Sequence, residues 1–474
     1  MEFTADDISR IVQEVMKNMN HKEQSVSEVK SKGNYGVFEK VADAVEAADL
    51  AQKTFVKNFS LDDRKRIIEA LRVELRKNAD LLAKKVREET KLGIYTDKIE
   101  KHFAVINNTP GPEFLTTDAV SGDHGLMLEE YAPFGVIGAI TPVTNPTETI
   151  INNGISMISG GNSVVFNVHP SSKETCMFCV QLMNRVIIEK NGPANLLTMV
   201  MEPTLDTVNE IASHPRVRMM VGTGGTAMVN ALLKSGKKTI GAGAGNPPVV
   251  IDETADIKRA AKEIHYGASF DNNLLCLAEK EAFVVNEVAD QFIACMRDEG
   301  AYVLEGTEKE KVLNNILSFK EGYGYYVQKE FIGQDASFIL EKAGIQVSRK
   351  PKLLICEVKK DHPLVLKEQM MPVFPVVRVR SIDEAIEAAV VAENGNRHTA
   401  SIFSKNVDNM TKFAKAIETT IFVKNGNTLR GVGIGGEGYA TMTIAGPTGE
   451  GITNVKSFTR KRRCMLADGG LRIV

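Results

Sequence analysis

The sequence predicts an α/β protein made of two doubly wound α/β domains. Two observations carry that expectation. Short apolar runs rich in Val and Ile alternate twice along the chain with longer amphipathic runs rich in Ala and Glu, the order that gives parallel sheets covered by helices on both faces. A Gly-rich stretch, TIGAGAGNPPVVID, falls between the two alternating regions and sets the expected boundary at 238/239. At 474 residues the chain is also too long for a single core.

Residues 4–19 read as a separate amphipathic helix. Thr4 and Asp7 form a capping pair, and Ile8, Ile11, Val12, Val15, Met16 and Met19 fall on one face. The polar stretch 20–34 reads as a linker. From Gly33 to about Asn108 the pattern is helical and charged, as in LDDRKRIIEALRVELRKNADLLAKKVREET. Then GVIGAITP, NSVVFNV, LLTMV and VRMMVGT read as strands. Between them PTETIINNGISMIS, SSKETCMFCVQLMNRVIIEK and TLDTVNEIAS read as helices, and GTAMVNALLKSG follows as another. The second region, 239–430, repeats the rhythm. Its strands are EAFVVN, KLLICEV, VFPVVRV, TASIFS and TTIFVKN. Its helices are EVADQFIACMRDEG, IDEAIEAAVVAE and NMTKFAKAI. A Gly-rich tail, 431–474, follows.

Composition excludes several classes. The formal charge of −2, from 58 Lys plus Arg against 60 Asp plus Glu, gives no field for nucleic acid or an anionic membrane. No apolar run reaches the roughly 20 residues of a membrane span, and MEFTADDISR is not a secretory signal. Six cysteines form no disulfide framework, so a reducing cytoplasm is expected. Cys176 and Cys179 fall one helical turn apart with no zinc-like complement, which favours packing, and no metal site is expected.

Three places look chemical. Cys276, in SFDNNLLCLAEKEAFVV, precedes a strand and follows polar residues; at a helix end its thiol pKa would be lowered. An isolated cysteine of this kind is more often core, so its context must decide. In PFGVIGAITPVTNP, Asn145 lies just past a strand end, where its amide could serve an oxyanion or merely start the next helix. Gly224-Gly225, between a strand and a helix, suits close approach of a phosphate, although the full G-x-G-x-x-G is missing.

Taken together, APFGVIGAITPVTNPTET, VVFNVHPSSK, VGTGG, GAGAGNPPVVID, the Cys276 loop, KEQMMPVFPVV, NRHTASIFS, TIAGPTGEG and SFTRKRRC resemble the aldehyde dehydrogenase superfamily. Within it they resemble the CoA-acylating propionaldehyde and acetaldehyde dehydrogenases of bacterial microcompartments. The resemblance spans about residues 35–466. It implies an aldehyde-dehydrogenase-like fold: an NAD/CoA-binding domain over 35–238 with an oligomerisation hairpin at 118–132, a catalytic domain over 239–430, and an oligomerisation return in the tail.

The resemblance also implies roles. Cys276 matches the nucleophile, and Asn145 with the Cys276 N–H matches the oxyanion hole. Glu368 matches the residue that holds the nicotinamide ribose. Thr141, Pro142, Thr223, Gly224, Gly225, Ala242 and Gly243 fall beside the cofactor. His169 and Pro170 match the subgroup's His-Pro, and Asn167 stands where hydrolytic members carry an adenosine-ribose Lys. Ala242 stands where they carry the Glu that activates water. Without a positioned base, water attack loses roughly 10²–10⁴-fold, so transfer to the thiol of coenzyme A is expected. His398 is a candidate to deprotonate that thiol, beside an equal structural reading. The basic run at 459–463 could meet CoA phosphates, but a salt-bridged surface is favoured. The implied reaction is short-chain aldehyde, with propionaldehyde favoured, plus NAD and CoA to acyl-CoA and NADH. The rival readings are a hydrolytic aldehyde dehydrogenase and a non-catalytic cargo protein. Expected partners are the aldehyde, CoA, a microcompartment shell protein held through residues 1–19, and further copies of the chain as a dimer or tetramer. The expected location is the bacterial cytoplasm, inside a microcompartment.

Overall fold

A computed structural model describes residues 34–322 and 324–467. The expected helix at 4–19 and most of its linker lie outside them. In chain order the first eight strands are β1 (Val37–Phe38), β2 (Asp118–Gly122), β3 (Gly125–Pro133), β4 (Val136–Ile140), β5 (Ser163–Asn167), β6 (Leu197–Val200), β7 (Val217–Thr223) and β8 (Lys238–Ala242). Six of them form a parallel sheet in the order β1-β6-β5-β4-β7-β8.

This sheet is wound on both faces, and side-chain alternation along the strands shows why. Ile137, Val164, Phe166, Met219 and Ile240 pack with the helices Leu61–Thr90, Pro146–Ser159 and Lys173–Glu189. Val136, Ile140, Val165, Val200 and Met220 pack on the other side with Val41–Asn58 and Leu205–Ser213.

The second sheet comprises β9 (Pro248–Ile251), β10 (Glu281–Val285), β11 (Tyr302–Val303), β14 (Leu354–Glu357), β15 (Val373–Val379), β16 (Thr399–Phe403) and β17 (Ile421–Lys424). Between β11 and β14 stands a hairpin, β12 (Leu317–Lys320) and β13 (Gly324–Val327). The sheet is parallel throughout, in the order β11-β14-β15-β10-β9-β16-β17. Val249, Ala282, Val284 and Val376 face the helices Ile257–Ser269 and Asn286–Asp298. Val250, Phe283, Val377 and Ile402 face Ile382–Glu393 and Val407–Ile417.

The Gly-rich stretch is not one strand. β8 completes the first sheet and β9 opens the second, so the passage between sheets falls at 243–247 rather than at 238/239. Two glycines, an alanine, an asparagine and a proline, Gly243 to Pro247, interrupt both ladders. β1 was not evident either: two residues carry no period, and pairing with β6 makes them a strand.

The tail closes on the first half of the chain. Ala440 N donates to Asn108 O (2.9 Å), and Asn162 Nδ2 donates to Phe458 O (2.9 Å). After a small pair, β18 (Ile444–Ala445) and β19 (Gly451–Ile452), the long β20 (Thr459–Ala467) joins β3 antiparallel, giving a three-stranded sheet β2-β3-β20.

Candidate active site

The helix Ile257–Ser269 ends in a tight loop. Asp271, Asn272 and Asn273 have φ of 48, 55 and 62°, a left-handed run that short polar side chains tolerate best. Each side chain is used. Asn272 Nδ2 donates to Gly333 O (3.0 Å) and Asp335 Oδ1 (2.8 Å). Asn273 Nδ2 donates to Ala268 O (2.9 Å) and Glu279 O (2.9 Å). The fully buried Lys280 donates to Asn273 O (2.9 Å), Leu275 O (3.2 Å) and Asn273 Oδ1. The loop is thus built to hold Cys276, which is partly exposed.

The expected lowering of the Cys276 pKa is overturned. Burial, and then the Glu368 carboxylate, push its thiol up to about 12, with Lys280 opposing. No helix N-terminus offsets that, because the helix before Cys276 ends there and the next element is a strand.

Gly245 is where the catalytic candidates meet. Its N–H donates to Glu368 Oε1 (3.4 Å). A Cβ at this position would lie 2.4 Å from Cys276 O and 3.0 Å from His398 Cγ. The passage between the sheets therefore threads between Cys276 and His398, with Glu368 alongside. His398 is buried, its Nδ1 pairs with Thr399 Oγ1 (2.9 Å), and its N–H donates to Glu393 Oε1 (2.9 Å). Its Nε2 has no hydrogen-bond partner. Burial, then Lys280, hold the imidazole down to about 3, so the ring is neutral. Burial raises the Glu368 carboxyl, against Lys280 and the Gly245 N–H.

The cofactor candidates line the carboxyl ends of β4, β7 and β8, the usual ligand crevice of an open α/β sheet. Thr223 pairs in register with Ala242, and Gly224 N donates to Ala242 O (3.0 Å). Gly225 precedes the helix Thr226–Leu233 without a side-chain cap, and a Cβ on it would meet nothing within 4 Å. Gly243 follows at the start of the passage. Thr141 N donates to Asn167 O (3.2 Å), just before Pro142; the Thr141 hydroxyl is buried without a partner. An open helix N-terminus and an orphaned hydroxyl fit a dinucleotide.

Asn167 itself accepts from Thr207 Oγ1 (2.6 Å), so it holds a loop. His169 is exposed and its Nδ1 accepts from Ser171 N (3.2 Å), capping the turn Pro170–Ser172. Lys329 stands near enough to help lower its pKa, after burial.

Asn145 starts the helix Pro146–Ser159, yet its side chain makes no capping bond. Its Oδ1 instead accepts from the fully buried Lys101 (2.7 Å). Lys98, Lys101 and His102 fall on one buried face of the helix Tyr95–Asn108 and meet Glu148 and Asp271. Sequence reading missed this cluster because it registered the region only as helical and charged. The available signal was the spacing i, i+3, i+4 of Lys98, Lys101 and His102, with Glu148 inside an otherwise apolar helix.

Two other candidates go elsewhere. The basic run lies on exposed β20, with Lys461 and Arg463 paired to Glu129 (2.6 and 3.1 Å). Cys176 and Cys179 are buried in the helix Lys173–Glu189, their thiols raised by burial. Among the described residues no cluster of His, Cys, Asp or Glu could hold a metal.

The chain belongs to the aldehyde dehydrogenase family, whose profile matches residues 13–312 and 341–452. It is similar to an acetaldehyde dehydrogenase (acetylating) of Bilophila wadsworthia, 45% identical over 488 residues and covering 100% of both chains. It also resembles the solved structure of a propionaldehyde dehydrogenase from the Clostridium phytofermentans fucose utilisation bacterial microcompartment. There the identity is 47%, the TM-score 0.89, and the coverage 92% of this chain and 99% of that one. A second solved structure, Rhodopseudomonas palustris propionaldehyde dehydrogenase with bound CoA and an acylated cysteine, is 47% identical. It matches with a TM-score of 0.89 and covers 93% of this chain and 99% of that one.

Proposed function

We propose that this chain is a CoA-acylating aldehyde dehydrogenase that converts a short-chain aldehyde, NAD and CoA into acyl-CoA and NADH through a thioester on Cys276. The observation that carries the choice of acceptor is the buried Ala242 at the end of β8, where a water-activating carboxylate would otherwise stand. The relatives named above act on acetaldehyde or propionaldehyde, and one holds CoA beside an acylated cysteine.

Cys276 attacks the aldehyde carbonyl, and Asn145 Nδ2 with the Cys276 N–H takes the developing oxyanion. A thiol near 12 is almost wholly protonated at neutral pH, so its proton leaves as the C–S bond forms. Glu368, held beside Gly245, is the acceptor at hand. Thr141, Pro142, Thr223, Gly224, Gly225, Ala242, Gly243 and Glu368 would hold NAD, which would supply the acceptor for the hydride that the thiohemiacetal carbon loses in becoming the thioester. The sulfur of CoA then attacks the thioester with its hydrogen aligned on the unpartnered Nε2 of His398; an imidazole held near 3 is too weak a base to keep that proton, which passes to the departing Cys276 sulfur. His169 and Pro170 offer an exposed turn for the nucleotide part of CoA or NAD.

Without CoA the enzyme should release a burst of about one NADH per site and then stall; added CoA should restore steady turnover and yield acyl-CoA. Rapid CoA-independent release of free acid would refute this reading.

Two assembly roles extend the proposal. Val120 and Met465, exposed at 60 and 61%, both stand opposite Met127 on the sheet β2-β3-β20 and so share one face, which suits a second copy of the chain. Residues 1–19, with their apolar stripe, suit a shell protein of a microcompartment. Removing them should leave turnover unchanged and abolish shell association; lost activity would argue for a role in the catalytic unit.

A further inference from the structure

We propose that Lys101 is a positioning residue for the reaction: it fixes which end of the Asn145 side chain faces the substrate and ties that side chain to the nucleophile loop. This rests on Asn145 serving as the oxyanion donor.

A side-chain amide has two ends of nearly equal size, and only the NH₂ end can serve an oxyanion. The neighbours must choose between them. Lys101 makes that choice because an ammonium has three donors and no acceptor. Its Nζ donates to Asn145 Oδ1 at 2.7 Å, so the carbonyl end is held inward and Nδ2 is turned the other way. Asn145 Nδ2 makes only a long bond to Thr144 Oγ1, 3.3 Å. One of its two hydrogens is thus loosely used and the other is directed by the same rotation. Flipping the amide would set NH₂ against NH₃⁺ between two buried side chains.

The other contacts of the ammonium show what it is joined to. Lys101 Nζ lies 2.6 Å from Asp271 Oδ2 and 3.3 Å from Glu148 Oε1, and all three side chains are fully buried. Asp271 is the first of the three left-handed residues that lead to Cys276. It is itself anchored, accepting from Ile94 N (2.7 Å) and Lys98 Nζ (3.2 Å). One lysine therefore spans the two sources of oxyanion donors: the Asn145 amide at the end of β4 and the loop that carries the Cys276 N–H.

Stability alone is a poor reason for such a cluster. Two lysines balance two carboxylates in charge, and buried pairs of this kind are often matched or surpassed by apolar residues of similar volume. What an apolar residue at 101 could not do is tell the two ends of Asn145 apart. His102 supports the same helix face without adding charge. Its pKa is lowered chiefly by burial, and its Nε2 meets Thr147 Oγ1 (2.8 Å).

The test compares the full-length parent with Asn145→Ala, Lys101→Met, Lys101→Met/Glu148→Gln, and the latter combined with Asn145→Ala. The Glu148→Gln change keeps the buried cluster neutral around the remaining Lys98–Asp271 pair, so that folding does not decide the result. The readouts are the NADH burst rate at saturating aldehyde and NAD, the KM for aldehyde, and the Kd for NAD by calorimetry. Asn145→Ala should slow the burst about 10²–10³-fold. The charge-balanced Lys101 variant should slow it by about 10–100-fold with the aldehyde KM and NAD Kd within about threefold. Adding Asn145→Ala to it should cost no more than Asn145→Ala does alone, because both changes remove the same donor. Losses that multiply in the combined variant would overturn the proposal, as would a parental burst in a charge-balanced variant that still binds NAD. A parental burst in Asn145→Ala would instead overturn the oxyanion reading on which this one rests.

Discussion

The ionisation of Cys276 can be read directly by alkylation. With its thiol near 12, the thiolate fraction at pH 8 is about 10⁻⁴, against roughly one quarter for an ordinary cysteine near 8.5. Because only the thiolate reacts, the rate of iodoacetamide labelling at Cys276 in the cofactor-free enzyme should climb about tenfold per pH unit from 7 to 10 without levelling. Burial is the first cause of the elevation and Glu368 the second. Glu368→Gln should therefore speed labelling at fixed pH without restoring ordinary behaviour. Lys280, whose charge opposes the elevation, should act in the other direction on replacement by Met. Cys464 is exposed and Cys295 half-buried, so total thiol consumption is the wrong readout. Peptide-level mass spectrometry of the Cys276 segment, alongside loss of the NADH burst, isolates the site. A rate that levels off by pH 9, or slower labelling in Glu368→Gln, would refute the reasoning.

Gly245→Ala should lower kcat by about 10² or more while melting within a few degrees of the parent, since a Cβ 2.4 Å from Cys276 O displaces the nucleophile loop; parental kcat in the purified variant would contradict that geometry. His398→Ala should leave the NADH burst intact and slow CoA-dependent turnover. Since the imidazole is neutral above about 3, the parent's CoA-dependent rate should show no limb from this group between pH 5 and 8. A titration near 6.5 that disappears in His398→Ala would show the ring to be far less shielded.

The strands and helices of both sheets were legible because their patterns are strong: VVF and AFVV are apolar throughout, as suits strands buried on both faces. The sheet to which TIGA belongs was not legible. Strand pairing is a long-range property, and only the ladder with β7, from Met219 opposite Lys238 to Thr223 opposite Ala242, assigns β8 to the first sheet. The hairpin at 317–327 was missed for a related reason: Phe319 and Tyr325 meet edge to face, centroids 5.1 Å apart, while remaining exposed, so no in–out alternation marks them. In the site, the polar residues that stand in loops, Cys276 and Asn145, were visible as misfits in their surroundings. Lys98, Lys101 and Lys280 were not, since a lysine in a charged helix or beside a glutamate reads as solvated surface. Burial of these three goes with partners that only the fold brings to them: Asp271 and Glu148 for the first two, and the carbonyls of Asn273 and Leu275 in the nucleophile loop for Lys280.

Position 242 shows how far the choice of acceptor is built into the fold. Side chains alternate along β8. Gly241 faces the helix Thr226–Leu233, where its Cβ would meet Val229 Cγ1 at 2.4 Å. Ile240 and Ala242 therefore share the opposite face, and Ile240 packs with the helix Pro146–Ser159. That helix begins at Asn145 and carries Glu148. A carboxylate at 242 would accordingly stand on the side of the sheet that already holds two buried carboxylates, Glu148 and Asp271, matched in charge by Lys98 and Lys101. A third negative charge there would stand beyond the two cations, Lys98 and Lys101, that already balance Glu148 and Asp271, and burial would disfavour its ionised form. Ala242 is thus more than an omission. Its small side chain is consistent with an electrostatically closed cluster around Asn145, and such a cluster favours an acceptor that brings its own nucleophilicity, as a thiol does.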